Sequence, residues 1–489
     1  MAKSSSKKAS KSEQFDPREP LPADAPYFYS LTLENIRCFA DKQTLDLSDG
    51  NGNAARWTVI LGENGTGKTT ILQSLARLDP ERVDSDTEHI RYRPKSQKDV
   101  NKIEVIRNAA LSAITSPPKQ NNVKAKLGGF SSATVQNHSH YTGLAFTAFN
   151  INNRVFLQGD KIDQEQPWAD NFTLFGFGAK RLIGSSPWEE YRLTDSTTSL
   201  FYTNAELVNV AEWLRNVKLA ASMSPQPNIH SKRFEKIESL LTGGLLPQVD
   251  AMRLAVVETG IFGVEVTFHT PDGWIPLESL GLGYQTMIAW TVDFAARMVE
   301  RYPHSPQPLH EPAIVLVDEL DLHLHPRWQR EIIGFLTKQF PKTQFIVTAH
   351  SPLVVQAAQD VNANIVLLRR EGDHVVIDQN VRIDRNLTAD QLLTSDVFGL
   401  TTLYSPETEQ KLAEQATILS KPTLTATDKK RVKELESEIG VIPTAQSQED
   451  RDAMALIRRA AILMEKNGMT SKEGSPKAKT KRKVSNGTH

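Results

Sequence analysis

Nine residues, Gly62-Glu-Asn-Gly-Thr-Gly-Lys-Thr-Thr70, constrain this chain more than any other stretch. An apolar run, Trp57 to Leu61, leads into them, and a helical pattern, Ile71 to Leu78, leads out. A strand, a glycine-rich turn and a helix start in that order, with Gly62, Gly67, Lys68 and Thr69 spaced G-x-x-x-x-G-K-T, make a phosphate-binding loop. Its glycines, Gly65 included, let successive backbone N–H groups turn inward around an anion. The helix that starts there brings its positive dipole end to the same point. Lys68 can reach the β and γ phosphates of a nucleotide, and the Thr69 hydroxyl can ligate magnesium. Asn64 and Thr70 lie inside the same loop and complete the expected nucleotide contacts.

Such a loop needs acidic partners, and they occur downstream. Ala313-Ile-Val-Leu-Val317 is wholly apolar, the pattern of a strand buried on both faces, and it ends in Asp318-Glu319. Asp318 is placed to hold the magnesium ion, and Glu319 to orient or deprotonate the attacking water. Gln344-Phe-Ile-Val-Thr348 is a second buried strand, ending at Ala349-His350-Ser351-Pro352. In a parallel sheet both strands open on one crevice at their C-terminal ends, where His350 can contact the γ-phosphate. Leu280-Gly-Leu-Gly-Tyr-Gln285 precedes the helical run Thr286 to Arg297. Gly281 and Gly283 at that helix start form a second anion cradle. With one phosphate loop already present, the second cradle is expected to serve the ATP of another subunit.

Alternation of strand and helix patterns predicts an α/β fold with a mainly parallel sheet covered by helices. Further strands are expected within 30–39, 44–47, 141–150, 154–157, 252–257 and 263–269, and residues 80–140 read as irregular. Leu174-Phe-Gly-Phe-Gly-Ala-Lys-Arg181 reads as a glycine turn whose Lys180 and Arg181 face either phosphate or solvent. A capping box at Thr203-Asn-Ala-Glu206 opens a helix through Val217, and a second helix runs from Arg233 to Leu241. Beyond Leu400 the chain turns helical. Ser447 caps the clearest of these helices, whose stripe includes Leu456, Ile457 and Met464 and stops at Gly468.

The bulk numbers exclude several classes. A net charge of -1 over 489 residues gives no global attraction to nucleic acid, so a DNA site must be a local patch. Cys38 is the single cysteine, which leaves no disulfide framework and fits a reducing compartment. No apolar run reaches the roughly 18 residues of a membrane span, and the polar N-terminus is not a signal peptide. A cytoplasmic protein without a membrane partner is expected.

The order of phosphate loop, L-x-x-G-Y/Q signature, Asp-Glu pair, H-L-H-P segment and histidine switch resembles the ABC-type ATPase superfamily. Asp318-Glu-Leu-Asp-Leu-His-Leu-His-Pro326, Gln344 to Pro352 and Ile36-Arg-Cys-Phe39 are similar to its non-transporter AAA/ABC-like branch, which includes RecF, SMC and the overcoming-lysogenization-defect nucleases. The resemblance implies a P-loop NTPase with an ABC-type nucleotide-binding domain, ATP and Mg2+ as cofactors, and head-to-tail dimers or higher oligomers with ATP between subunits. Asp321 would lie in the segment crossing that interface. The family signature carries serine where this chain has Gly281, with Ser279 nearby, which implies slow hydrolysis and ATP acting as a conformational clamp.

More than 200 residues separate Lys68 from Gly281, too few for a long coiled-coil arm. Neither a metal-binding nuclease domain nor an HNH arrangement is legible, and His138 and His140 read as loop residues. The helical C-terminal part resembles that of the Septu anti-phage ATPases, which work with a separate HNH nuclease; the ATPase of the PARIS system, sequestering a toxin nuclease, is the rival. A RecF-like DNA-repair clamp is a further alternative, and DNA contact through the effector is expected under the first reading. Six segments follow: a disordered basic tail over 1–22, the first part of the ATPase domain over 23–200, a helical insertion over 201–250, the second part over 251–400, a helical oligomerisation or partner-docking segment over 401–468, and a disordered basic tail over 469–489.

Overall fold

The computed structural model describes residues 16–22, 25–34, 37–76, 130–136, 144–151, 154–159, 172–192, 194–223, 228–246, 248–257, 263–400, 402–421 and 423–440. They divide into two compact units, 1–400 and 401–489.

The first unit is built on the apolar runs. Six strands form one sheet in the order β14-β13-β3-β12-β11-β7. They are β3 (Trp57–Gly62), β7 (Leu174–Phe177), β11 (Ala313–Val317), β12 (Thr343–Thr348), β13 (Asn364–Glu371) and β14 (His374–Asp378). All neighbours pair parallel except the β13–β14 hairpin at one edge. The pairing places β12 between the strand that enters the phosphate loop and the strand that ends in the acidic pair. Val317 lies opposite Val347, and Thr348 opposite Ile60. The C-terminal ends of all three strands are therefore level.

Alternation sorts the side chains of these strands onto two cores. Trp57, Val59, Val315, Val317, Phe345 and Val347 enter one, while Ile60, Ile314, Leu316 and Ile346 enter the other. Each fully buried Val, Leu, Ile or Phe contributes roughly 1.5–3 kcal/mol. The first core is covered by α4 (Leu282–Arg301), α5 (Pro326–Gln339) and α6 (Pro352–Asp360). Trp57 stacks on Phe345 at 4.3 Å between ring centroids, and its indole N–H donates to Thr337 of α5 at 2.8 Å. The second core is closed by α1 (Lys68–Ala76) and by β1 (Tyr27–Glu34), which contribute Ile71, Leu72, Leu75, Phe28, Leu31 and Leu33.

Strand β1 belongs to an antiparallel sheet, β2-β1-β4-β5-β6, with β2 (Gln43–Asp46), β4 (Phe130–Gln136), β5 (Leu144–Ile151) and β6 (Arg154–Gly159). A third sheet, β10-β9-β8, comprises β8 (Ala251–Val257), β9 (Gly263–Thr270) and β10 (Gly273–Pro276) and leads into α4. Helices α2 (Val210–Met223) and α3 (Ile229–Leu240) pack Trp213, Leu214, Phe234 and Ile237 into the first core. The second unit contains α7 (Pro406–Leu419) and α8 (Ala426–Ile439), with Arg431 bridging to Glu414 at 2.8 Å.

Several expectations are corrected. Residues 16–22 are not part of a loose tail: Leu21 is buried in the second core, and the Glu19 carbonyl accepts from Arg56. Strand β4 forms inside the stretch read as irregular, because pairing with β1 and β5 supplies what a polar Ser-Ser-Ala-Thr run lacks alone. The Leu174–Phe177 stretch is a buried edge strand rather than a turn. A Cβ on Gly176 would meet the Leu200 side chain, and one on Gly178 the Ser199 carbonyl, so these glycines serve close approach. The Thr203–Glu206 capping box does not form. Glu206 instead accepts from Ser185, and the Asn209 side chain accepts the Glu212 N–H at the start of α2. The Ser447–Gly468 helix, both terminal basic runs, His138 and His140 lie outside the described residues.

Candidate nucleotide site

The phosphate loop joins β3 to α1 as a wrapped turn. Gly62, Gly65 and Gly67 all have positive φ, at 147°, 79° and 89°. Gly67 is also a point of close approach: a Cβ there would stand 2.5 Å from the Cys38 sulfur and 2.8 Å from the Phe39 ring. The turn carrying Arg-Cys-Phe is thereby pressed onto the loop. Asn64 and Gly65 are exposed at its tip, where the Gly65 carbonyl accepts from Arg370 at 3.3 Å. Lys68 folds back, its ammonium donating to the Gly62 and Glu63 carbonyls at 2.8 and 2.9 Å. Burial pushes the Lys68 pKa down, opposed by the nearby Asp318, Glu319 and Asp321 carboxylates. Arg37 donates to the Thr70 hydroxyl and the Gln73 amide, both at 3.1 Å.

Three hydroxyl and carboxylate groups knit the strand ends together. Thr69 donates to Asp318 Oδ2 at 2.7 Å. Thr348, the last residue of β12, donates to Asp318 Oδ1 at 2.7 Å and accepts the Glu319 N–H at 2.7 Å. Both carboxylate oxygens of Asp318 are thus fixed by hydroxyls. Glu319 turns with φ of 50°, an uncommon left-handed conformation for a non-glycine residue. It is half-buried while Asp318 is buried. A hydroxyl and a carboxylate in contact beside a nest of backbone N–H groups suit a hard cation held with a polyphosphate.

One family model, described as "AAA domain", matches residues 30–77, and another, described as "AAA domain, putative AbiEii toxin, Type IV TA system", matches residues 215–356. These two stretches contain the phosphate loop, the glycine signature, the acidic pair and His350. The chain carries AAA-domain sequence over both stretches. It is similar to the Septu protein PtuA of Bacillus mycoides (strain KBAB4), 27% identical over 400 residues, which cover 81% of this chain and 48% of that protein. It is also similar to the Retron Vc95 probable ATPase of Vibrio cholerae serotype O1, 42% identical over 19% of this chain and 18% of the relative. The Retron Ec83 probable ATPase of Escherichia coli is 41% identical over 21% and 18%. The chain spans about half, or less, of the length of the curated relatives it matches.

The remaining expected site residues fall into a second group within the 215–356 match. Gly281 is the N-cap of α4, and Ser279, two residues earlier, is exposed. Gly283 is packed against the backbone of His323, which itself has φ of 63°. A Cβ at 283 would collide with the His323 carbonyl. Tyr284 meets Trp328 edge-on at 4.6 Å. The signature is therefore gathered with the segment following the acidic pair. Asp321 Oδ2 accepts the His350 N–H at 3.0 Å, so the His350 backbone is tied to that segment while its side chain is exposed.

Three participants were not among the residues expected to bear on the site in this way. The sequence marks Thr348 only as the end of a buried strand, Arg37 only as part of a motif, and Arg181 equally as facing phosphate or solvent. It is instead buried at 4% exposure beneath the acidic pair, donating to the Asp318 and Glu319 carbonyls. The exposed residue of that pair is Lys180. Among the described residues no helix is long and apolar enough to cross a membrane.

Proposed function

We propose that this chain binds and slowly hydrolyses ATP as the regulatory subunit of an anti-phage defence complex, controlling a separate nuclease effector such as an HNH protein. The observation that carries the ATPase part is the Thr69–Asp318–Thr348 cluster beside the phosphate loop. Similarity to the Septu protein PtuA over 400 residues supports the defence setting.

The placement of the residues supports the following roles. Gly62 to Thr70 wrap the phosphates with backbone N–H groups, and Lys68 exchanges its loop carbonyls for phosphate oxygens. Thr69 and Asp318 are the residues suited to hold Mg2+, which would neutralise charge on the phosphates. Glu319 accepts the proton of the attacking water, a role supported by its half-burial and its charge acting on Lys68. His350, exposed at the end of β12, is available to the γ-phosphate. Gly281 and Gly283 at the α4 N-terminus receive the ATP of a second copy in a head-to-tail dimer or larger assembly, with Asp321 at that interface. A glycine N-cap offers no hydroxyl there, which supports slow turnover.

Two linked measurements test this. Cells carrying the chain with its native neighbouring genes are challenged with phage, in wild-type form and as Lys68→Ala and Glu319→Gln. Protection should be lost in both variants; undiminished protection sinks the reading. Affinity purification of the tagged wild type should bring down a nuclease in fixed stoichiometry. Recovery of an ATP-dependent dimer that captures DNA without any partner would replace the defence reading by a repair clamp.

A further inference from the structure

Arg181 lies buried against the main chain of the acidic pair. It follows the β7 edge strand and is fully enclosed, with Nε donating to the Gly178 carbonyl at 3.1 Å. Its Nη2 donates to the carbonyl of Asp318 and, at 2.8 Å, to that of Glu319. The guanidinium thus grips two consecutive peptide groups where the chain leaves β11 and enters the left-handed turn at Glu319. Its Cζ also lies 5.9 Å from the centroid of the Trp290 ring, which belongs to α4, the helix that starts at the Gly281 signature. Its third nitrogen, Nη1, is buried without a hydrogen-bond partner. Enclosing a guanidinium is costly unless its donors are used. Here two are spent on main-chain carbonyls of the acidic pair. A plain supporting role in the β7–β11 edge needs neither the bifurcated grip nor the contact with α4.

We infer that Arg181 is a positioning residue: it holds the Asp318–Glu319 peptides in the strained turn that aims the Glu319 carboxylate, and it links that turn to the signature helix through Trp290. It touches no substrate. The inference deepens the ATPase reading and rests on it. Arginine suits the task because its rigid planar group holds the Gly178 carbonyl through Nε and the acidic-pair carbonyls through Nη2 at once, whereas lysine offers a point charge. Burial lowers the Arg181 pKa to about 10, against the neighbouring carboxylates, so the group stays charged at neutral pH.

The full chain is purified as wild type, Arg181→Lys and Arg181→Met. Affinity for a fluorescent ATP analogue with Mg2+, ATP turnover, and amide hydrogen exchange over residues 318–322 are measured. Turnover of Arg181→Met should fall by about 10²-fold, as for a misplaced catalytic group, with nucleotide affinity held within about threefold. Arg181→Lys should recover part of the turnover. Exchange over 318–322 should quicken while that over 62–70 stays unchanged. Wild-type turnover and exchange in the variants overturn the inference, as does a loss lying wholly in affinity. Should Arg181→Met not fold, Arg181→Lys carries the same comparison, reduced kcat with quickened exchange being the expected result. Absence of turnover in the wild type overturns the ATPase reading instead, and the exchange over 318–322 then decides Arg181 alone.

Discussion

The Thr69 hydroxyl donates to Asp318 across 2.7 Å, joining the first residues of α1 to the end of β11 although 249 positions separate them. This contact ties the phosphate loop to the acidic strand. Thr69→Ser keeps the hydroxyl and should retain ATP binding. Thr69→Val removes it at nearly constant volume, leaves Asp318 Oδ2 without its donor, and should weaken magnesium-dependent nucleotide binding about tenfold or more, as ligand-shell substitutions do. Titration with a fluorescent ATP analogue, with and without Mg2+, distinguishes the two variants; equal loss in both conditions would contradict the assignment.

Thr348 holds both members of the acidic pair, donating to Asp318 and accepting from the Glu319 N–H. Thr348→Val strands a buried N–H and a carboxylate oxygen. It should cost about 1–3 kcal/mol of stability. Turnover should fall more than ATP affinity does, because the residue acts on the pair rather than on the phosphates. Thermal unfolding and steady-state kinetics read the two effects separately.

Gly283 has no room for a methyl group, since the His323 backbone occupies the space. Gly283→Ala must shift α4 or the 319–325 segment. Overpacking of this kind costs about 1–3 kcal/mol. Gly281 faces open space apart from Tyr284 at 3.9 Å, so Gly281→Ser should fold normally. It would supply the hydroxyl expected of the signature and should raise turnover. A thermal shift at 283 with none at 281 is the expected pattern.

Asp293 and Arg297 form a buried ion pair one turn apart in α4, at 3.2 Å, with Arg297 also donating to Thr194. Arg297→Met leaves Asp293 enclosed without its cation. Breaking such a pair from one side costs about 3–5 kcal/mol. The double variant Asp293→Leu, Arg297→Met should be less destabilised than Arg297→Met alone. Chemical denaturation of the three proteins checks this.

Asp428 starts α8 with a reciprocal cap. Its carboxylate accepts from Lys421 at 2.6 Å and from the Thr425 N–H and hydroxyl, which lowers its pKa from 3.8 to about 2. Because the folded value lies below the unfolded one, the contribution is complete above about pH 4 and disappears as pH falls through about 2. The α8 amides near Thr425 should therefore lose protection over that acid interval in wild type. Asp428→Asn should show no corresponding step. A step centred near 4 in wild type would show that the carboxylate is unperturbed.

Much of the first unit was legible because its key functions are local. The Gly62–Thr70 spacing needs only neighbouring residues to build a turn of positive-φ glycines, and the apolar runs Ala313–Val317 and Phe345–Val347 announce buried strands. Strand β4 was not legible, since its Phe-Ser-Ser-Ala-Thr-Val-Gln sequence acquires extended structure through β1 and β5. The Leu174–Phe177 strand was hidden by glycines whose purpose lies in Leu200 and Ser199. Thr203 and Glu206 match a capping box by composition, yet Glu206 found a better partner in Ser185.

The sequence by itself determined the elements whose physics closes within a few residues: the phosphate loop, the helix it starts, and the apolar strands ending in Asp318 and His350. The tertiary structure alone decided which side chains hold those ends in place. Thr348 reaches Asp318 across 30 positions, Arg181 reaches Glu319 across 138, and Gly283 yields space to His323. Each depends on strand order and on helix-to-sheet distance, which arise from packing summed over two cores. A hydroxyl, a cation or a missing methyl carries no mark in the sequence of the distant group that it will meet.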